Sequence, residues 1–124
     1  MHLVDTSVWI HHFRYGDERL KEALEQQTVL CHDWIIGELA CGNLKARKTT
    51  LDHLCRLPQA PLIKQSELLY FIDQYRLFGA GLGLIDMQLL ATCKVIACDL
   101  WSNDKALFHA ARRFGIRVTS SLLH

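Results

Sequence analysis

The sequence predicts an α/β sandwich around a short, mostly parallel sheet, and three features point there. Short apolar runs such as LV at 3–4, VLC at 29–31 and LW at 100–101 have strand length and not helix length. Between them lie longer stretches with apolar residues three and four apart, the period of a helix that buries one face. Strands that alternate with helices are the pattern of a sheet whose parallel neighbours need helical crossovers.

Each element follows in order. Leu3 and Val4 form a first buried strand, and SVWIHHF is the helix it feeds, with Thr6 or Ser7 placed to cap it. Gly16 and Asp17 break that helix; DERLKEALEQQ starts another with Leu20, Ala23 and Leu24 on one face, and TVLCH returns as strand. In DWIIGELACGNLKARK, Asp33 is the expected N-cap and Ile35, Ile36, Leu39 and Ala40 the buried stripe, with Leu51 to Leu57 extending the helical region. Pro58 and Pro61 mark a connection. SELLYFIDQYRLF is helical, GAGLG a turn, LIDMQLLATCKV a helix, LWS a strand, NDKALFHAARRF a helix ended by Gly115, and IRVT the last strand. No repeat, low-complexity segment or second domain interrupts residues 1–124, which read as a single domain.

Composition narrows the class. With 124 residues and 50% hydrophobic content, one core forms without disulfide staples, burying roughly two thirds of the unfolded surface. The first strand begins by residue 3, which leaves no room for a charged leader, and no apolar run approaches a membrane span, so a cytoplasmic location is expected. Five cysteines (Cys31, Cys41, Cys55, Cys93, Cys98) at irregular spacings, without a CxxC pair, read as reduced packing residues and not as a zinc or redox site. A net charge of +1 averages acidic against basic regions, so distribution carries the information.

The acidic residues are placed to do chemistry. Asp5 stands at the carboxyl end of the first strand, where open α/β sheets build their sites. Asp86 is in the first turn of its helix with Leu89, Leu90 and Cys93 following on the same face, and Glu38 flanks the apolar stripe of its own helix. Asp104 follows the strand LWS and opens the next helix. Singly, each is explained as a cap or a partner of a helix dipole. Brought together, unit charges 4 Å apart repel by about 4 kcal/mol at an effective dielectric near 20, so a cation is required. All-oxygen carboxylate ligation favours Mg²⁺ or Mn²⁺ over zinc.

In the order VDTSVWI, IIGELACG, GLIDMQLLAT and LWSNDKALF, spanning nearly the whole chain, the sequence resembles the PIN-domain family, and within it the VapC toxins of toxin-antitoxin modules. The resemblance implies a PIN-like three-layer α/β/α sandwich and a metal-dependent endoribonuclease acting through Mg²⁺ or Mn²⁺. Asp5, Glu38, Asp86 and Asp104 match the family's acidic positions and are implied to be catalytic, with Asp5, Asp86 and Asp104 holding metal and Glu38 either ligating it or orienting water. Ser7 matches the hydroxyl beside the first aspartate, with Thr6 a secondary choice. Ser102 stands where the family often has threonine. A homodimer, a VapB-type antitoxin whose tail covers the acidic pocket, and an RNA substrate are implied as partners.

Other features keep ordinary readings beside functional ones. Lys45, Arg47, Lys48, Arg112 and Arg113 are basic helix ends or phosphate contacts. His11 and His12 are adjacent on a helix and face different ways, and Asp99 reads as a turn residue before LWS. In SELLYFIDQYRLF, Leu68, Leu69, Ile72 and Tyr75 can face the core while Tyr70, Leu77 and Phe78 fall on other sides, so the helix is either buried or an interface. Three rivals stand beside the nuclease: a receiver-like phosphoacceptor, which would carry adjacent acids at its first strand, a DNA-directed nuclease, and a catalytically silent PIN-like RNA- or partner-binding module.

Overall fold

The structure is a computed structural model and describes residues 1–123. Its sheet has four strands, β1 (His2–Val4), β2 (Val29–Leu30), β3 (Asp99–Trp101) and β4 (Val118–Thr119), in the order β2-β1-β3-β4. Every pairing is parallel: Leu3 lies opposite Leu30 on one side and Leu100 on the other, and Trp101 lies opposite Thr119. The central strands are apolar on both faces, with Leu3, Val4 and Leu100 fully buried, as a doubly covered parallel sheet demands.

Seven helices occupy the crossovers: α1 (Thr6–Tyr15), α2 (Glu18–Glu25), α3 (Asp33–Cys41), α4 (Arg47–Arg56), α5 (Gln65–Gln74), α6 (Leu84–Ile96) and α7 (Lys105–Arg113). The first crossover carries the chain from β1 to β2, the second back past β1 to β3, and the third outward to β4. Right-handed crossovers that run in opposite directions from the middle of a sheet cover opposite faces, which produces the α/β sandwich. Between β1 and β3 the strand order reverses, and the crevice beyond their carboxyl ends is the place where such sheets bind ligands.

Several local expectations change. Thr6 and Ser7 do not cap α1: they lie inside its first turn, and Asp5 occupies the extended N-cap position without a side-chain cap bond. His32 and not Asp33 caps α3, its Nδ1 accepting the Trp34 N–H. The helix expected across 33–48 ends at Cys41, because Gly42 and Asn43 interrupt it and Ala46 takes a left-handed conformation before α4. Arg47 then reaches back to donate to the Ala40 carbonyl, so this basic residue satisfies a helix end. Asp99 belongs to β3, facing His2 at 3.6 Å, and not to a turn. His12 accepts the Asp17 N–H through Nδ1 and so serves the corner between α1 and α2.

The core joins α2, α3, α5, α6 and α7 to the sheet through Leu20, Ile35, Leu39, Leu68, Leu89, Leu90 and Leu107. On α5, Leu68 and Phe71 are buried, whereas Leu69 and Tyr75 are exposed and Leu77, just past the helix, is buried: the helix turns its 68/71 edge inward. Cys31, Cys93 and Cys98 are buried thiols, but Cys41 and Cys55 are exposed, so only three of the five pack inside. Gln88, fully buried on α6, accepts the Ile63 N–H at 2.6 Å and donates to the Ile63 carbonyl at 3.1 Å. It thereby helps to tie down the proline-flanked connection, which also bridges to Cys31 through backbone bonds at Pro58 and Ala60. Among the described residues no helix is long and apolar enough to cross a membrane.

Candidate active site

The reversal of strand order puts two chain segments side by side, residues 5–7 after β1 and residues 102–104 after β3. Asp5 is 5% exposed, and its Oδ2 accepts hydroxyl bonds from Ser7 and Ser102, each at 2.7 Å. Both hydroxyls are themselves oriented by backbone, Ser7 Oγ accepting the Asn103 N–H at 2.9 Å and Ser102 Oγ the Asp104 N–H at 3.0 Å. Burial raises the Asp5 carboxyl above the ordinary carboxylate range against the pull of the two hydroxyls, and the charge of Glu38 adds to the rise.

The other acids come from three elements. Glu38, exposed on α3, is held toward the site by Thr6, whose hydroxyl donates to its Oε1 at 2.6 Å across 32 residues of sequence. Asp86 stands in the first turn of α6 and its Oδ2 accepts the Gly83 N–H at 3.0 Å. Asp104 caps α7 through Oδ1, which accepts the Leu107 N–H at 2.9 Å. Each of these three spends one oxygen on a protein donor.

Burial raises the Asp86 carboxyl as well, against the Gly83 N–H, and the charges of Asp5, Asp104 and Glu38 raise it further. The four predicted acids therefore share one electrostatic neighbourhood. Among the described residues the one acid–base contact within 4 Å is between His2 and Asp99, so no Lys or Arg pairs with the cluster. Among the described residues no three acids, histidines or cysteines stand together as a ready-made metal cage. Three of the four belong to separate helices, Glu38 to α3, Asp86 to α6 and Asp104 to the start of α7.

The set fits a hard divalent cation: the donors are carboxylate oxygens, a buried one included, and their charge has no Lys or Arg counterion among the described residues. Two residues outside the predicted acidic set complete the geometry. Ser102 holds Asp5 as closely as Ser7 does, and its place directly after β3, where the resembled family often has threonine, was the available signal. Asn103 is the second, and nothing in its spacing marks it.

A groove of about 630 Å³ leads away from Glu38 past Leu39, between Ile10 and Phe13 of α1 and Leu44 and Lys45 beyond α3. Its walls are mainly apolar, with Arg14 and Lys45 as cations at the rim.

A parallel sheet with an acidic cluster at its point of strand reversal defines a class, and the comparisons agree: the chain belongs to the PIN domain family, which it matches over residues 2–113. Among individual proteins it is 40% identical over 123 residues to Ribonuclease VapC32 of Mycobacterium tuberculosis strain ATCC 25618 / H37Rv, covering 98% of this chain and 99% of that protein. The Ribonuclease VapC32 of strain CDC 1551 / Oshkosh gives the same identity and coverage. Among solved structures, a chain of FitAB bound to an IR36 DNA fragment superimposes with a TM-score of 0.64 at 18% identity, covering 100% of this chain and 99% of that one. FitAcB from Neisseria gonorrhoeae gives a TM-score of 0.64 at 21% identity over 96% of each chain. At these identities the structural likeness bears on the fold.

Proposed function

We propose that this chain, one PIN domain across residues 1–124, is an endoribonuclease of the VapC kind and the toxin of a toxin-antitoxin pair. The observation that carries the reading is that Asp5, Glu38, Asp86 and Asp104 lie near enough at the sheet's switch point to feel one another's charge, with no Lys or Arg paired to them among the described residues. The near full-length relationship to Ribonuclease VapC32 supports RNA as the substrate.

Asp5, Asp86 and Asp104 would hold a divalent ion, Mg²⁺ or Mn²⁺, with Glu38 as a further ligand or as the group that orients water. When bound, such an ion supplies an acidified water and neutralises charge on phosphoryl oxygens. Ser7 and Ser102 fix the Asp5 carboxylate by donating to one of its oxygens, and Thr6 keeps Glu38 turned toward the cluster. Asp5 and Asp86, both raised by burial, accept a proton more readily than ordinary carboxylates, so metal binding weakens as acid protonates them. The apolar groove beside Glu38 suits a segment of a VapB-type antitoxin, which would lie there and reach over the acids. The exposed apolar side chains Leu69 and Tyr70 on α5, with Phe78 beyond it, suit a homodimer contact, and a cytoplasmic location fits this assignment.

The test is cleavage of total cellular RNA by the purified chain with Mg²⁺ or Mn²⁺, beside Asp5→Asn and an EDTA control. Discrete fragments from the wild type alone are expected. Equal cutting by Asp5→Asn, or a folded wild type that binds Mn²⁺ yet cuts no RNA, would overturn the reading; the latter outcome favours the silent binding module.

A further inference from the structure

The two hydroxyls that grip Asp5 are oriented by two consecutive backbone N–H groups, those of Asn103 and Asp104. The backbone position of residues 102–104 therefore decides where both hydroxyls point. One strand bond fixes this segment from behind, the Ser102 N–H to the Thr119 carbonyl at 2.9 Å. Asp104 is held at the other end as the cap of α7, its Oδ1 accepting the Leu107 N–H and its carbonyl the Phe108 N–H. Between these two anchors the further restraint is the Asn103 side chain.

Three donors converge on Asn103 Oδ1: the Ser120 hydroxyl at 2.8 Å, the Ser121 N–H at 2.9 Å and the Leu122 N–H at 3.2 Å. Three donors on one atom identify it as the oxygen of the amide. The Nδ2 atom is buried and has no hydrogen-bond partner among the described residues, a cost the side chain bears for the sake of its oxygen. The turn that supplies these donors is itself fastened. Ser120 Oγ accepts the N–H groups of Leu122 and Leu123, and Arg19 donates to the Ser120 carbonyl while stacking on Trp101. Ser121 Oγ donates to Asp17 and accepts from Trp101 Nε1. A rigid turn at 120–123 thus holds the Asn103 side chain, and through it the site.

We propose that Asn103 is a positioning residue of the acidic centre: it locks residues 102–104 to the turn at 120–122 so that Ser7 and Ser102 hold one oxygen of Asp5 in a fixed orientation. The proposal deepens the metal-nuclease reading and rests on it for its catalytic meaning. Asn103 touches no acid of the cluster in the hydrogen-bond network; it acts through the hydroxyls.

The test compares wild type, Asn103→Leu, Asn103→Asp and Ser120→Ala. Two readouts are taken on each: exchange of the Asn103 and Asp104 amides in the metal-free chain, and Mn²⁺ affinity by paramagnetic resonance. Asn103→Leu, close in size but without the acceptor, is expected to lose amide protection and to bind Mn²⁺ roughly tenfold more weakly, the usual scale for groups that orient ligands. Asn103→Asp keeps an acceptor for the three donors and is expected to retain protection. Ser120→Ala removes one donor from the opposite end and shifts both amides in the same direction, by less. A folded Asn103→Leu with unchanged protection and Mn²⁺ affinity within about twofold overturns the proposal. If that variant does not fold, unchanged amides in Ser120→Ala overturn it. A wild type that cuts no RNA removes the nuclease reading, while the exchange and Mn²⁺ comparisons still decide whether Asn103 positions the site.

Discussion

Asp5 illustrates how a residue costly to the fold can stand at the centre of a proposed site. It is almost fully buried, its carboxyl is raised by that burial, and it is stabilised by two hydroxyls and the Thr6 backbone N–H, with no Lys or Arg paired to it among the described residues. Asp5→Asn should therefore lower RNA cleavage by at least about a hundredfold while raising the thermal midpoint of the metal-free chain, as expected when a strained functional charge is neutralised. Cleavage assays and calorimetry on the same preparation check both halves. His32 carries a pH dependence of the opposite kind. It is fully buried, caps α3 with Nδ1, and burial lowers its pKa below the ordinary value, so the unfolded chain binds the proton more tightly. Its stabilising contribution is complete above the unfolded pKa near 6.5 and is lost as pH falls below it. Urea midpoints measured between pH 8 and 5 should fall in the acidic half of that range, and His32→Asn, which keeps a capping acceptor but does not titrate, should flatten the slope there.

At the scale of elements, Asp104 does two things that one substitution can separate. It caps α7, and it contributes charge to the acidic cluster. Asn caps as well as Asp, so Asp104→Asn should cost under about 0.5 kcal/mol in stability, whereas Asp104→Ala should cost about 1 kcal/mol more. Both should lose cleavage strongly, and denaturant titration beside the activity assay distinguishes cap from site. The helical cap at Asp104 was legible from sequence, since an acid opening an apolar-periodic run is a local signal. The break between α3 and α4 was not anticipated: one helix is expected across 33–48, although Gly42 and Asn43 are residues at which helices end. The inward edge of α5 was not legible: nearly every position of SELLYFIDQYRLF is a candidate for the core, and only packing against α6 selects Leu68 and Phe71.

For the whole molecule, the site exists because the strand order reverses between β1 and β3, which sets residues 5–7 against residues 102–104. The same fold leaves Leu69, Tyr70 and Phe78 exposed, at 52%, 69% and 64%. These are the side chains that the proposed dimer would cover. The chain should sediment as a concentration-dependent dimer, and Tyr70→Glu should shift it toward monomer with its secondary structure unchanged. A wild type that stays monomeric at high micromolar concentration would contradict the dimer.

What the sequence by itself determined was periodicity and residue type: the order of strands and helices, the four acids Asp5, Glu38, Asp86 and Asp104, and the family they resemble. These are local properties, carried by neighbours three or four residues apart and by the chemistry of individual side chains. Only the tertiary structure decided which groups hold those acids. Thr6 reaches Glu38 across 32 residues, Ser102 reaches Asp5 across 97, and the turn after β4 reaches Asn103. Hydrogen bonds between segments so far apart leave no mark on local composition, because their partners are chosen by sheet order and not by sequence distance.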